Sequence, residues 1–169
     1  MLNTASRILK HRWLDSRSVH RALPPLALQR LGERVAASEA AHTGEIRIAV
    51  EAGLPLSYLR RSASPRERAI TLFGKLRVWD TEDNNGVLIY LLLAEQAIEI
   101  VADRGIARAL PADFWPQTLA SLRPHLRQGD YETALALAID ATGAALALHF
   151  PLSPGQTRSN ALPDKPVLL

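Results

Sequence analysis

The sequence predicts an α/β fold: a three-layer α/β/α sandwich around a small mixed sheet that contains a central β-hairpin. Residues 45–52 alternate between apolar and polar side chains, as a strand does. Residues 87–93 and 97–102 form two further apolar runs joined by a tight turn at Glu95-Gln96. Segments with helical spacing stand before, between and after these strands. The hairpin excludes an all-parallel sheet, because its two strands must run in opposite directions.

The composition is that of a single globular domain. The chain has 169 residues, of which 47% are hydrophobic and 22% charged, so it holds enough apolar surface for one sizeable core. It has no cysteine, which excludes disulfides, thiolate zinc sites and cysteine nucleophiles. Residues 1–16 lack the apolar run of a secretory signal. We therefore expect a cytoplasmic location.

Charge and proline content divide the chain into three parts: a basic helical N-terminal arm at 1–24, an α/β domain at 25–150 and a proline-rich tail at 151–169. Residues 1–34 hold seven Arg or Lys against two acids, whereas the remainder is close to neutral. Such an arm contacts nucleic acid, acidic lipid or an acidic partner, or it is a solvated helical face. The absence of nucleic-acid-binding motifs disfavours the first of these. The candidate contacts in the arm are Arg7, Lys10 and Arg12.

Helix boundaries follow from capping residues and prolines. Ser64 and Glu67 form a capping box around Pro65, which predicts a helix to about Arg77. Pro25 predicts the first turn of another helix that reaches His42 and ends at Thr43-Gly44. Residues 53–62 are expected to be a loop. Further helices are predicted at 7–13, at 16–23, from Pro111 onward and at 131–150.

The strand at 45–52 is expected to carry a polar face or edge, which would hold Glu45, Arg47 and Glu51.

The segment 133–152 is rich in Ala and Leu and is the one candidate for a membrane span. Asp140 stands near its middle. A carboxylate at the centre of a membrane helix costs about 2.5 to 3.5 kcal/mol on insertion scales. The segment is therefore predicted to be a buried core helix.

An acidic loop at residues 80–86 is the strongest candidate for a functional site. It places three carboxylates and two amides directly before a buried strand: Asp80, Glu82, Asp83, Asn84 and Asn85. Oxygen ligands of this kind suit calcium or another divalent cation. The spacing does not match an EF-hand. From spacing alone, an Asn-Gly turn with solvated acids is the favoured explanation of the pattern.

Asp103 ends the second strand of the hairpin. Because the hairpin is tight, this strand end should return beside the start of the first strand, close to Gly86. Asp103 would then add a fourth carboxylate to the loop, or it would cap the short helix expected to follow. Arg104 is the adjacent candidate for contact with an anion.

Known enzyme motifs are absent from the sequence. It contains no P-loop, no dinucleotide-binding glycine motif, no nucleophile elbow and no metalloprotease motif. The five histidines are scattered without ligand spacing, so each is expected on the surface or in the core.

Four segments in order resemble the TPM domain, named for a thylakoid lumen protein, a photosystem II repair protein and a nematode receptor modulator. They are Gly44–Ile48, a helix with Leu72-Phe73, Asn85–Ile89 and Ile98–Gly105. The resemblance covers about residues 28–150 and implies an α/β sandwich. It also implies a divalent cation, such as calcium, at the acidic loop. The family's G-Y-G-L-E turn is replaced here by Ala102–Ala107, which weakens the case for catalysis.

Two functions follow from these observations. The first is a non-enzymatic interaction module whose acidic loop or basic arm contacts a protein partner or a membrane-associated assembly. The alternative is a metal-assisted acid phosphatase acting on phosphomonoesters, as some TPM proteins are described. The Asp-Thr-Glu sequence at 80–82 follows a predicted helix and not an apolar strand, which disfavours an aspartyl-phosphate enzyme.

Overall fold

The computed structural model describes residues 4–153, 155 and 162–169. Its helices and strands are, in chain order, α1 Thr4–Trp13, α2 Ser16–Ala22, α3 Pro25–Glu39, β1 Ile46–Glu51, α4 Leu56–Arg60, α5 Pro65–Lys75, β2 Val87–Leu92, β3 Ala97–Ala102, α6 Arg104–Ala109, α7 Phe114–Gln128, α8 Tyr131–His149 and β4 Val167–Leu168.

The four strands form one mixed sheet in the order β3-β2-β1-β4. Strand β1 pairs in parallel with β2, starting with Ile46 opposite Val87, and β2 pairs antiparallel with β3. The predicted hairpin is therefore confirmed. Its connection is longer than the predicted two-residue turn: a 3-10 turn at Leu93–Glu95 precedes Gln96, which adopts a left-handed conformation with φ 48°.

Helices cover both faces of the sheet, which makes the predicted three layers. On one face, α3, α7 and α8 pack over alternate strand residues such as Ile48 and Ile89. On the other face, α5 and α4 cover Leu88 and Tyr90. Successive side chains of each strand point to opposite faces of the sheet, and since both faces are covered by helices, the strands supply an apolar layer on each face.

The prediction that β1 carries a polar face or edge is wrong. Glu45, Arg47 and Glu51 are all buried. Because β1 lies between β2 and β4 and is covered on both faces, its charged side chains must find partners inside the protein. Arg47 donates to the backbone oxygens of Pro163 and Lys165 at 2.5 and 2.7 Å, and Glu51 receives two hydrogen bonds from Arg68.

Two helix predictions also change. The helix that begins at Pro25 ends at Glu39, three residues before the predicted His42, and the Glu39 side chain turns back to accept from the Ile46 amide at 2.6 Å. The loop expected at 53–62 contains α4, which starts directly after Pro55. The predicted start of α5 is confirmed, since Ser64 accepts a hydrogen bond from the Glu67 amide.

The segments at the two ends of the chain pack onto the domain. Val19 and Leu23 belong to the main core, so the structure shows no separation at residue 24. In the segment predicted as a tail, Leu162 is buried and β4 pairs in parallel with β1. Residues 156–161 of that segment lie outside the described residues.

Helix α8 packs between α3 and α7 against the sheet, and eight of its residues are buried. Asp140, near the middle of the helix, is exposed and accepts two hydrogen bonds from Arg34, at 2.7 and 2.8 Å. Within the described part of the chain it is the one helix long and apolar enough to cross a membrane, a test that the core helix of a soluble protein also passes.

Candidate functional site

The acidic loop meets the end of β3, as the hairpin geometry predicts. The Asp103 amide donates to the Gly86 oxygen at 2.9 Å, and the Gly105 amide donates to the Asn84 oxygen at 2.8 Å. A Cβ on Gly105 would lie 2.4 Å from the Asp83 backbone oxygen. Only glycine therefore lets the start of α6 approach the loop this closely.

Thr43, between α3 and β1, connects the loop from the other side. Its hydroxyl donates to Asp83 Oδ2 and accepts from Asn85 Nδ2, both at 3.0 Å. The Asn85 amide is thereby oriented with its nitrogen toward Thr43. The Asn85 backbone is held as well, since its N–H donates to Thr81 Oγ1 at 3.0 Å.

Two buried oxygen atoms at this junction have no hydrogen-bond partner among the described residues: Asn85 Oδ1 and Asp103 Oδ2. Asn85 is 1% exposed and Asp103 is 6% exposed. The other carboxylate oxygen of Asp103 caps α6 by accepting from the Arg104 amide at 2.6 Å. Leaving a buried polar atom unpaired costs about 1–3 kcal/mol, so such atoms commonly mark a place where an ion or water binds.

The remaining predicted ligands are not gathered around these oxygens. Asp80 and Glu82 are exposed, and the Asp80 carboxylate lies 4.0 Å from Arg77. Asn84 is half-buried in a left-handed conformation with φ 50°. Across the described residues, no three His, Asp or Glu side chains are grouped tightly enough to hold a metal. The predicted six-residue ligand set is thus reduced to Asn85 and Asp103, with Asp83 joined to them through Thr43.

This donor set fits a hard cation. Asp103 supplies an unpaired carboxylate oxygen, Asn85 an unpaired amide oxygen, and Asp83 a second carboxylate. Calcium takes 6–8 such oxygen ligands and accepts backbone oxygens and waters for the remainder. Softer metals that require thiolate or imidazole would find neither in this donor set.

The predicted cationic residues are spread over the molecule. Arg104 stands at the site, but its side chain is 78% exposed and its Nε is 3.9 Å from Asp103 Oδ1. Arg7 lies at the other end of the sheet, where it binds Glu95 at 2.6 Å beside the hairpin turn. Lys10 and Arg12 are exposed on α1. Of these four predicted residues, Arg104 is the one that stands at the acidic loop.

Thr43 and Thr81 are the site residues that sequence reasoning missed. Parallel pairing of β1 with β2 puts the segment before Ile46 beside the segment before Val87. A hydroxyl residue in the first of these segments can therefore reach the loop in the second. The prediction of a mixed sheet did not specify this parallel pair, and the pairing is the signal that would have identified Thr43.

The sequence profile of the TPM domain matches residues 20–145 of the chain. Together with the three-layer fold and the acidic loop before β2, this match places the chain in the TPM domain family.

A solved structure supports this assignment. The NMR structure of BA42 protein from the psychrophilic bacteria Bizionia argentinensis sp. nov. superposes with a TM-score of 0.74. It shares 26% sequence identity, and the match covers 86% of this chain and 94% of BA42. A comparison with curated proteins found no match.

Proposed function

We propose that this chain is a non-enzymatic interaction module whose acidic site binds a divalent cation, with calcium as the expected ion. The observation that carries the proposal is the pair of buried, unpartnered oxygens, Asn85 Oδ1 and Asp103 Oδ2. A cation bound between the loop and the start of α6 would satisfy both atoms. It would also offset the negative charge that Asp103 brings into a buried position.

The surrounding residues support binding at this site. Thr43 orients Asn85, and the Gly105 amide holds the loop backbone through Asn84. These hydrogen bonds hold the ligand residues in place before a cation binds. Such pre-organisation lowers the ordering cost of binding. With an ion in place, the exposed acids Asp80 and Glu82 remain available to a partner on the surface.

The same geometry disfavours the alternative, a metal-assisted phosphatase. Phosphoryl transfer requires positive charge aimed at the phosphate and a positioned acid or base. Arg104 is mostly in solvent and Asp80 and Glu82 are exposed, so neither requirement is met by a held side chain. Among the described residues, the arrangement at this site therefore supports ion binding better than it supports catalysis.

Thermal melts of chelator-stripped protein test cation binding. Calcium at a hundredfold excess over its Kd should stabilise the folded state by about 2.7 kcal/mol. Asp103→Asn keeps the cap on α6 but removes the charge, so the calcium-dependent shift should be lost. Asp80→Asn is the matched control, because its carboxylate is exposed, and it should keep the shift. A wild-type midpoint unmoved by millimolar calcium, or an equal shift in Asp103→Asn, would contradict the proposal.

A phosphomonoester assay separates the two functions. With calcium, magnesium or manganese supplied, we expect no turnover above that of an Asp103→Asn sample prepared in parallel. Metal-dependent turnover that is lost in folded Asp103→Asn and kept in Asp80→Asn would establish the phosphatase instead. Contaminating phosphatase would be insensitive to both substitutions.

A further inference from the structure

Helix α1 presents an apolar surface to solvent. Leu9 and Trp13, one turn apart, are 58% and 80% exposed. A helix turns about 100° per residue, so Arg12 flanks this pair on one side and Lys10 on the other. Both flanking residues are exposed. A tryptophan and a leucine between two cations is the pattern of a helix that lies in the interface of a membrane.

The opposite face of α1 is fixed to the domain, so the exposed face has a defined direction. His11 is buried and its Nδ1 accepts from the Leu54 amide at 2.9 Å. Gly53 allows the close approach, since a Cβ there would lie 2.5 Å from the His11 backbone oxygen. Arg7 adds hydrogen bonds to Glu95 and to the Ala63 oxygen, at 2.6 and 2.7 Å.

The positive charge around this surface is not neutralised within the protein. Among the described residues, none of Lys10, Arg12, Arg17 and Arg21 has an acidic side chain within ion-pair distance. The nearby acid, Asp15, caps α2 by accepting from the Ser18 amide. Of the described Arg and Lys residues in α1 and α2, Arg7 is the one that forms an ion pair, and it faces the domain.

We propose that the α1–α2 surface, Leu9, Lys10, Arg12, Trp13, Arg17 and Arg21, binds peripherally to a membrane rich in anionic lipids. The unpaired cations match the charge of anionic headgroups, and an exposed tryptophan is the side chain that prefers the headgroup level. A merely solvated helical face would not need the apolar pair. The proposal specifies the partner in the interaction-module role proposed above, and it does not depend on the cation site.

Vesicle co-sedimentation tests the proposal with the full chain. Vesicles of phosphatidylcholine with 30% phosphatidylserine are compared with pure phosphatidylcholine vesicles, at about 0.1 M salt and with chelator throughout. Each basic residue near such a surface is worth about fivefold in partition. Lys10→Glu/Arg12→Glu should therefore bind at least ~25-fold more weakly. Trp13→Ala should also bind more weakly, and salt should release the wild type.

Two matched controls keep the outcome interpretable. Arg123→Glu/Arg127→Glu removes two exposed cations from α7 and should bind like the wild type. Asp103→Asn should also bind normally, so failure of the cation site and failure of membrane binding are separable. All the altered side chains on α1 are exposed, and melts should show folded protein.

Absence of wild-type binding to anionic vesicles would overturn the proposal. So would an equal loss in the α7 variant, which would indicate nonspecific charge attraction. The alternative is that this surface binds a second copy of the chain, and light scattering on the lipid-free protein tests it. A dimer that dissociates in Trp13→Ala would assign the surface to a second copy.

Discussion

Glu51 on β1 accepts two hydrogen bonds from Arg68 on α5, at 3.0 and 2.6 Å, in the buried layer between sheet and helix. Tyr90 on β2 donates its hydroxyl to the same carboxylate at 2.6 Å. Burial, together with the charge of Glu51, raises the pKa of Tyr90 far above its usual range. Burial alone would lower the pKa of Arg68, but the hydrogen bonds to Glu51, the charge of Glu51 and smaller contributions from Tyr58 and Tyr90 together raise it. The three side chains form one hydrogen-bonded unit, and the Arg68 guanidinium also lies over the Tyr58 ring, 5.2 Å from its centre.

Glu51→Leu should destabilise the domain by about 3–5 kcal/mol, because it leaves the Arg68 charge buried without a partner. Urea denaturation measures the change. The triple variant Glu51→Leu/Arg68→Met/Tyr90→Phe removes every polar member and should recover most of that loss. If the triple variant is less stable than Glu51→Leu, the stability lost in Glu51→Leu does not come mainly from the unpaired Arg68 charge, and the hydrogen bonds of the network themselves stabilise the domain.

Gly105→Ala should lower both stability and calcium affinity. The added methyl would meet the backbone oxygens of Asp83 and Asn84 at 2.4 and 2.6 Å, which forces α6 away from the acidic loop. Overpacking of this kind costs about 1–3 kcal/mol. Gly74→Ala is the control, since a methyl there meets nothing within 4 Å and should stabilise α5 by about 0.4–1 kcal/mol. Unchanged melting and calcium titration in Gly105→Ala would show that the loop and α6 are not tightly coupled.

His11 should make stability depend on pH. Burial lowers the pKa of His11, and the ion pair with Glu95 only partly opposes this. Protonation would also cost the Leu54 hydrogen bond, because Nδ1 is its acceptor. The unfolded chain therefore binds the proton first, so stability is complete above about pH 6.5 and falls as the pH drops toward the lower folded-state pKa.

Asn at position 11 keeps an acceptor for the Leu54 amide but does not titrate. The wild type should lose stability relative to His11→Asn between about pH 7 and 5. Urea midpoints across this range give the difference, and subtraction cancels acids such as Glu99, whose pKa is raised by burial. Parallel profiles for the two proteins would show that His11 does not titrate in this range.

Asp140→Leu should leave α8 packed in the domain. The substitution removes an exposed ion pair with Arg34, worth about 0.2–1 kcal/mol. We expect both proteins to be released from cell membranes by alkaline carbonate, as peripheral proteins are. Retention of wild-type protein through that wash would identify α8 as a membrane span and contradict the cytoplasmic location expected from the sequence.

Much of the fold could be predicted because local signals were strong. Ser64, Pro65 and Glu67 defined the start of α5, and the two apolar runs defined the hairpin. The juxtaposition of Asp103 with Gly86 followed from strand pairing alone. Burial of Glu51 and Arg47 could not be predicted, since their alternation in the sequence is also that of a solvated face. Only the partners, Arg68 on α5 and the backbone at 163 and 165, decide it, and both depend on tertiary structure.

The structure brings the predicted loop and Asp103 together, but the residues that surround the buried oxygens differ from the predicted ligand set. Asp80, Glu82 and Asp83 are all exposed and have the same chemistry, and the sequence does not tell which of them is linked to Asn85. That choice is made by Thr43, which lies forty residues earlier and reaches the loop through the parallel pairing of β1 and β2.

The two-residue strand β4 has a consequence for the assembly state of the protein. Together with the carbonyl oxygens at 163 and 165 that Arg47 binds, it covers the side of β1 that faces away from β2. A chain that ends before residue 162 would expose the backbone edge of β1 along all six of its residues, Ile46–Glu51, and this edge would be free to add a strand from another molecule. The last eight residues thus guard against edge-to-edge aggregation, and fusions or truncations at this end of the chain would put solubility at risk.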